Sequence, residues 1–125
     1  MELDCEERIR QIADGFRECR SAFTAIGDET RQLILLILLE SDCSGVRVGE
    51  IAQKAHLARP SVSRHLQILR QAGIVARRRE GAKNYYYLST DETQWKEIAD
   101  LIHLIYASIQ RIGASPAPHE GRQRP

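Results

Sequence analysis

The stretch PSVSRHLQILRQAGIV, residues Pro60–Val75, decides the fold of this chain. Its apolar residues Val62, Leu66 and Leu69 recur at a spacing that places them on one side of a helix. The opening proline suits a first helical turn, because its missing N–H would have no partner there anyway. Gly73 suits the left-handed residue just beyond a helix end. The stretch therefore predicts one helix with a buried stripe, followed by a change of direction.

The remaining faces of this helix are polar. They carry short hydroxyls, an imidazole, an amide and a guanidinium, at Ser61, Ser63, Arg64, His65 and Gln67. Side chains of these types read base edges and phosphates in the major groove of DNA. Three arginines, at 77–79, follow directly. The pattern predicts a recognition helix that leads into a basic hairpin.

Charge is segregated along the chain, although the net charge is only +1. Residues 58–83 hold seven positive side chains and one negative one, a formal charge of +6. Residues 1–30 hold eight negative and four positive side chains, a formal charge of −4. A concentrated basic segment is typical of a surface that binds a polyanion. The alternative is a charged face that is merely solvated.

Size and composition predict a single domain in the cytoplasm. The chain has 125 residues, 42% hydrophobic and 28% charged, which is typical of one globular domain. Its longest apolar run, residues 33–39, is far shorter than the roughly 20 residues needed to cross a bilayer. No charged-then-apolar leader opens the sequence, and three cysteines do not suggest a disulfide framework. We expect neither membrane association nor a cofactor.

Residues 2–39 predict two helices. The first, residues 2–25, has an apolar residue at every third or fourth position, and Gly27 ends it. Asp28 is a good N-cap for the second helix. The run LILLILL at 33–39 is apolar on all sides, which predicts a centrally buried helix. A buried strand is the alternative, but the cap and the few β-branched residues favour the helix.

A short helix at 49–55 and a connection at 56–59 precede the recognition helix and complete a helix-turn-helix. Residues 74–79 and 84–88 are rich in aromatic and β-branched residues and bracket a loop that contains a glycine. This pattern is typical of a β-hairpin, which we interpret as a wing. Residues 46–48 are a candidate third strand.

The last predicted helix, residues 91–112, has the clearest periodicity in the chain. Its apolar seam is typical of a surface that packs against a partner helix. Together with the seam of the first helix it predicts a homodimer, and packing of the two seams within one chain is the alternative. The expected interface consists of Ile9, Ile12, Phe16, Cys19, Trp95, Ile98, Ile102, Ile105 and Ile109. Residues 113–125, with three prolines and two glycines, predict a disordered tail.

The strings FTAIGDETRQLILLILL, VGEIAQKAHLARPSVSRHLQILRQAGIV and REGAKNYYYL resemble the ArsR/SmtB family of winged helix-turn-helix repressors. The resemblance implies a mainly α fold of five helices plus a two- or three-stranded wing, in one domain at residues 1–112. It also implies a homodimer through the first and last helices, in agreement with the two seams. Such a regulator binds an inverted-repeat operator in double-stranded DNA and leaves it when an effector arrives.

Carried over position by position, the resemblance implies two groups of DNA contacts. The base-facing group on the recognition helix is Arg59, Ser61, Ser63, Arg64 and His65, with Gln67 at the edge. The wing group is Arg78, Arg79 and Lys83. Strand alternation should turn one of residues 77–79 away from the DNA. Neither Ala58 nor Arg59 supplies the usual capping group, so the start of the recognition helix is defined only to within a residue or two.

The two metal sites best known in the family are not preserved here. The resemblance places a Cys-x-Cys pair at Arg47 and Gly49, and neither residue binds a soft metal. It places a second ligand set on the last helix, where only His103 is retained, with Glu92 as a candidate oxygen ligand. A zinc site needs more nitrogen and sulfur donors than this, so we expect no metal.

Three other functions compete with an operator-binding repressor. Cys5 and Cys19 lie about 21 Å apart along one helix, but across a dimer either could approach the partner's Cys43 and sense a metalloid or an oxidant. A cysteine in a helix seam also acts simply as a small hydrophobic residue. A winged helix that binds proteins without DNA would show an apolar or acidic recognition helix. We do not expect an enzyme, since no nucleophile lies beside a histidine and no phosphate-binding glycine loop is present.

Overall fold

The computed structural model describes residues 4–114, which form five helices and one hairpin, as the sequence predicts. The elements are α1 (Cys5–Ile26), α2 (Glu29–Leu39), α3 (Val48–Ala55), α4 (Arg59–Gln71), β1 (Val75–Glu80), β2 (Lys83–Leu88) and α5 (Glu92–Ala114). The last helix therefore continues two residues past its predicted end. The rest of the predicted disordered tail lies outside the described residues.

Short-range signals set most of these boundaries. The Asp28 carboxylate accepts a hydrogen bond of 3.0 Å from the backbone N–H of Arg31, so it caps α2 as predicted. Helix α4 begins at Arg59 after Ala58, which makes no side-chain cap, and Pro60 lies in the first turn. Gly73 follows the helix with φ +80°, the left-handed conformation that the sequence predicts.

The core lies between α2, α3, α4 and the base of the wing. Its largest fully enclosed side chains include Ile34 of α2, Ile51 of α3, and Leu66 and Leu69 of α4. Val62 completes the stripe of α4, so all three residues of the predicted stripe are buried. Because this side of α4 is anchored in the core, its polar sides face outward.

The wing is an antiparallel hairpin in which Val75 pairs with Leu88 and Glu80 pairs with Lys83 across a turn at Gly81 and Ala82. Val46 forms a single antiparallel bridge to Tyr86 through two backbone hydrogen bonds of 2.8 Å. The predicted third strand is thus reduced to one residue, because Val48 already belongs to α3.

Helix α2 is confirmed as a helix, but one of its sides is exposed. Leu33, Leu36 and Leu39 are 41%, 52% and 61% exposed, whereas Ile34 and Ile37 on the other side are buried. The expectation of a helix buried on all sides is therefore wrong within a single chain. Three leucines on one helix face are left for contacts outside it.

Helices α1 and α5 pack against each other within the chain. Gly15 of α1 allows close approach, since a Cβ there would lie 2.8 Å from the Cδ1 atom of Leu101. Leu101 and Ser108 of α5 are buried, and neither belongs to the predicted seam. The two helices thus pair through one row of residues and expose a second apolar row. That second row consists of Ile9, Phe16, Trp95, Ile102, Tyr106, Ile109 and Ile112.

The residues of the predicted interface divide between buried and exposed positions, while the homodimer itself stays a prediction. Cys19 is only 1% exposed, so it has no surface to offer a partner, and Ile98 packs against the core. Ile102 and Ile109 remain exposed, as an interface with a second copy requires. Within residues 4–114, no helix is both long and apolar enough to traverse a bilayer.

Candidate nucleic-acid interface

The outward sides of α4 hold most of the predicted base-facing residues. Ser63, Arg64 and Gln67 are exposed, and Ser61 is partly exposed. Their exposure follows from the burial of Val62, Leu66 and Leu69, because residues between these positions of the helix point away from the core. The helix therefore presents a hydroxyl, a guanidinium and an amide along one surface.

His65 lies on the flank of α4 toward α2 and is only partly exposed. Its Nδ1 atom is 3.3 Å from Nη1 of Arg31. Arg31 in turn donates hydrogen bonds to the backbone oxygens of Ala25 at 2.8 Å and Thr24 at 3.1 Å. The imidazole is therefore held by a residue of another helix. Sequence reasoning missed Arg31, because no periodicity connects positions 34 residues apart.

Arg78 of the wing lies on the opposite side of β1 from Arg77 and contacts the loop after α2. Its guanidinium donates to Glu80 at 2.9 Å and to the backbone oxygen of Ser44, and it stacks 4.8 Å from the centre of the Tyr85 ring. A cation over an aromatic ring with a carboxylate beside it is a local clamp. Arg78 thus ties the wing to the loop after α2, which reduces its freedom to reach DNA.

Arg77 lies on the other side of the same strand, opposite Tyr86. With Arg70, Ser63 and Gln67 it lines a polar recess between α4 and the wing. The DNA contacts predicted from the sequence include neither Arg70 nor Arg77. For Arg77 the reason is that periodicity alone does not show which wing arginine lies on the side of α4. Arg79 is exposed near the turn, where its Nε donates to the backbone oxygen of Gly81 at 3.0 Å.

Arg59 closes the other end of the surface by lying over α3. A Cβ on Gly49 would be 2.7 Å from Nη2 of Arg59, so the guanidinium packs directly against this glycine. Arg47 and Asn84 line the same cleft. The two positions at which the sequence resemblance placed a Cys-x-Cys pair are thus occupied by an arginine and by a glycine that packs against another arginine.

The candidate sensor residues are dispersed. Cys5 and Cys43 are exposed and Cys19 is buried, and all three thiols are free. Burial raises the pKa of the Cys19 thiol, with the charges of Glu97 and Glu18 adding to the effect, so its reactive thiolate form is disfavoured.

The metal candidates of α5 are also far apart. Glu92 and His103 are eleven residues distant on one helix, which places them about 16 Å apart along its axis. Among residues 4–114, no three His, Cys, Asp or Glu side chains are grouped to hold a metal ion.

The exposed basic and polar side chains of α4 and the hairpin form one continuous surface, which we call the α4–wing face. It consists of Ser61, Ser63, Arg64, His65, Gln67, Arg70, Arg77 and Arg79. Lys83 is exposed beside the turn, but it pairs with Glu80 on the side of the hairpin that carries Arg78. Glu80 is the single acidic residue between positions 58 and 83, and it is paired with Arg78. The arrangement suits a duplex, with hydrogen-bonding groups on a helix that fits a major groove and cations beside it for phosphates.

Comparison with known proteins agrees with this geometry. Residues 28–77 match the model of the arsR family of bacterial regulatory proteins. An HTH-type transcriptional regulator of Methanocaldococcus jannaschii is 38% identical over 87 residues, which cover 70% of this chain and 93% of the relative. The transcriptional repressor SdpR of Bacillus subtilis is 39% identical over 74 residues, covering 59% of this chain and 79% of SdpR.

Solved structures show the same architecture. Reduced HlyU from Vibrio cholerae has 28% identity and a TM-score of 0.58, over 78% of this chain and 97% of HlyU. An ArsR-like regulator from Rhodococcus sp. RHA1 has a TM-score of 0.71 over 82% of this chain and 89% of that one, and at 24% identity it supports the fold alone. The family and these relatives are transcriptional regulators, and no enzymatic activity is indicated. The chain therefore belongs to the ArsR family and is a DNA-binding transcriptional regulator.

Proposed function

We propose that the protein is a homodimeric repressor that binds an inverted-repeat operator in the cytoplasm. The observation that carries this proposal is the α4–wing face, which lies within residues 58–83, a segment with a formal charge of +6 in a chain whose net charge is +1. Two copies related by a two-fold axis would place their α4 helices in successive major grooves, about 34 Å apart. The wings would then lie on the flanking phosphates.

The exposed apolar row of α1 and α5 supports the dimer. Ile102, Ile109 and Phe16 expose about half of their surface to solvent. Rows of this kind are costly to leave in water and mark association surfaces. The leucines of α2 offer further apolar surface for the same purpose.

The contacts divide by chemistry into base reading and phosphate binding. We assign Arg64, Ser63 and Gln67 to base edges, because they lie along the exposed side of α4. We assign Arg77 and Arg79 to phosphates, because a wing cation beside a reading helix meets the backbone first. Lys83, which is exposed beside the turn of the wing, is a further phosphate candidate. Arg78 is assigned to holding the wing in place, on the strength of its contacts with Glu80 and Tyr85.

Repression would follow from occupation of the operator. An effector would act by altering the separation of the two α4 helices. A rotation of the subunits about their interface would move both helices out of register with the two major grooves. The relatives include both repressors and activators: SdpR is named a transcriptional repressor, and HlyU of V. cholerae is named a transcriptional activator.

The proposal is tested by selecting bound fragments from genomic DNA with the purified full-length chain. We expect an inverted repeat whose half-sites are centred about 10–10.5 base pairs, or a multiple of this, apart. Two chains should bind each operator, as measured by ultracentrifugation of the complex. Equal affinity for the selected site and for a shuffled sequence at the same salt concentration would contradict sequence-specific binding.

A further inference from the structure

A chain of hydrogen bonds connects the recognition helix to the end of α1. It begins at the imidazole of His65 and passes through the guanidinium of Arg31, which is 3.3 Å from Nδ1. It ends at the backbone oxygens of Ala25 and Thr24, in the last turn of α1. Carbonyl groups in the last turn of a helix lack partners within the helix, so Arg31 satisfies two of them. These two hydrogen bonds also hold the Arg31 guanidinium in one position.

The chemistry of this contact determines where the proton of His65 lies. A guanidinium only donates hydrogen bonds and has no acceptor. Nδ1 of His65 must therefore offer its lone pair to Arg31, and the neutral ring then carries its proton on Nε2. A proton on Nδ1 would instead point at a fixed positive charge.

We propose that Arg31 is a positioning residue that holds His65 as an Nε2–H donor for DNA. This inference rests on the proposed operator binding. In the major groove, such a donor can bind the acceptor atoms of the base edges: N7 of a purine, O6 of guanine or O4 of thymine. It discriminates against the amino groups of adenine and cytosine at that position. Arg31 thus contributes to sequence specificity through His65.

Arginine suits this role better than lysine. Its planar fork reaches three acceptors in different directions through Nε, Nη1 and Nη2. A lysine at 31 would be a point charge that cannot bind all three acceptors in this fixed geometry. Through Arg31 of α2, the contact also links His65 to the end of α1, a helix that contributes to the proposed dimer interface.

The first test is a double-mutant cycle on the full chain with the selected operator. Arg31→Met keeps the aliphatic stem and removes the donors, and His65→Ala removes the imidazole. We expect each single change to weaken specific binding about tenfold and the double change to weaken it about tenfold as well, because both remove the same donor. A double variant about a hundredfold weaker, with a lower salt dependence from Arg31→Met alone, would overturn the inference in favour of a direct phosphate contact by Arg31.

A second test observes the proton of His65 directly and compares two His65 variants that leave Arg31 in place. Nitrogen-15 NMR of the imidazole at neutral pH should show His65 of the free protein with the proton on Nε2, and Arg31→Met should convert it to a mixture. His65→Gln, whose amide reaches about as far as Nε2, should retain more specific affinity than His65→Asn, whose shorter amide mimics Nδ1. A proton on Nδ1 in the wild-type protein, or equal affinity of the two amides, would overturn the inference. Absence of any specific site for the wild-type chain would instead contradict the proposed function.

Discussion

At the scale of single residues, the neighbours in space decide whether a charged side chain is free to bind a partner. Strand alternation predicted that one of the three wing arginines lies on the other side of the hairpin from the remaining two. It could not predict that Arg78 is that one, since the clamp needs Glu80, Tyr85 and the backbone of Ser44 together. Arg31 was missed for the same reason, because its partner His65 lies 34 residues away.

Replacing Arg64 with alanine tests the base-reading assignment. Arg64 lies on the exposed side of α4, so we expect the loss of about 1–3 kcal/mol of specific binding with the dimer unchanged. Gel shifts at a fixed salt concentration measure this. Lys96→Ala is the matched control, since it removes one positive charge at an exposed pair with Asp100 on α5. Similar affinity losses in the two variants would indicate a general charge effect and contradict base reading by Arg64.

Arg79→Ala tests phosphate binding by the wing. Removal of one phosphate contact should weaken specific and nonspecific binding alike and reduce the slope of log affinity against log salt by about 0.9. Arg78→Ala provides the comparison, because its guanidinium is occupied by Glu80 and Ser44. We expect a smaller change of slope there. The phosphate assignment would be wrong if Arg78→Ala changed the slope and Arg79→Ala did not.

At the scale of elements, features that depend on residues within one helix or turn could be predicted from the sequence. Features that depend on how two helices pack could not. Asp28 as a cap and Gly73 as a left-handed residue follow from local chemistry. The exposed side of α2 and the buried row of α5 through Leu101 and Ser108 do not. An apolar residue shows by its type that burial is favourable, but the packing of the neighbouring helix decides which apolar row is buried within the chain.

Gly73→Ala tests the turn that aims the wing. A residue with a Cβ at φ +80° is strained, so we expect the free energy of unfolding to fall by about 1–2 kcal/mol. Urea denaturation followed by circular dichroism measures it. Gly113→Ala is the control, because that glycine lies in α5 with no atom within 4 Å of its added Cβ. Its stability should stay the same or rise, and an equal loss in both variants would contradict a strained turn.

Asp28→Asn tests the electrostatic part of the α2 cap. The hydrogen bond from the Arg31 amide lowers the pKa of Asp28 below its ordinary value of 3.8. A lowered pKa contributes stability that is complete above the unfolded-state pKa and is lost as the pH falls through the folded-state pKa. Asparagine caps a helix about as well but does not titrate.

The stability of the Asp28→Asn variant should therefore fall less steeply in acid than that of the wild type, in thermal melts between about pH 5 and pH 2. Hydrogen bonds from Ser44 and Thr93 lower the pKa values of Asp42 and Asp91. Because of these two groups, the stability of both proteins should still decrease somewhat as the pH falls. Identical acid slopes for variant and wild type would show that Asp28 does not contribute.

At the scale of the whole molecule, the chain separates a basic surface from an apolar one. The α4–wing face is basic, whereas α1 and α5 expose isoleucines and aromatic rings. The apolar seams of these helices were visible in the sequence, but the row that remains exposed became identifiable only once Gly15 and Leu101 had paired the helices. A dimer formed through that row would carry two reading helices on one rigid body.

Ile102→Glu tests whether that row joins two copies. Ile102 is 52% exposed, so a carboxylate there costs a single chain little, but in an interface it would be desolvated without a partner. We expect the variant to sediment as a monomer with an unchanged circular dichroism spectrum. Gln110→Glu, which adds the same charge at an exposed polar position of α5, should remain dimeric.

DNA binding gives the second readout for the Ile102→Glu variant. Affinity for an isolated half-site should be kept, because α4 and the wing are intact in each chain. Affinity for the complete inverted repeat should fall by a factor of 100 or more, on the order of the gain that two connected binding units have over one. A dimeric Ile102→Glu protein, or a monomer that binds the full repeat as tightly as the wild type, would show that operator recognition does not depend on pairing through α1 and α5.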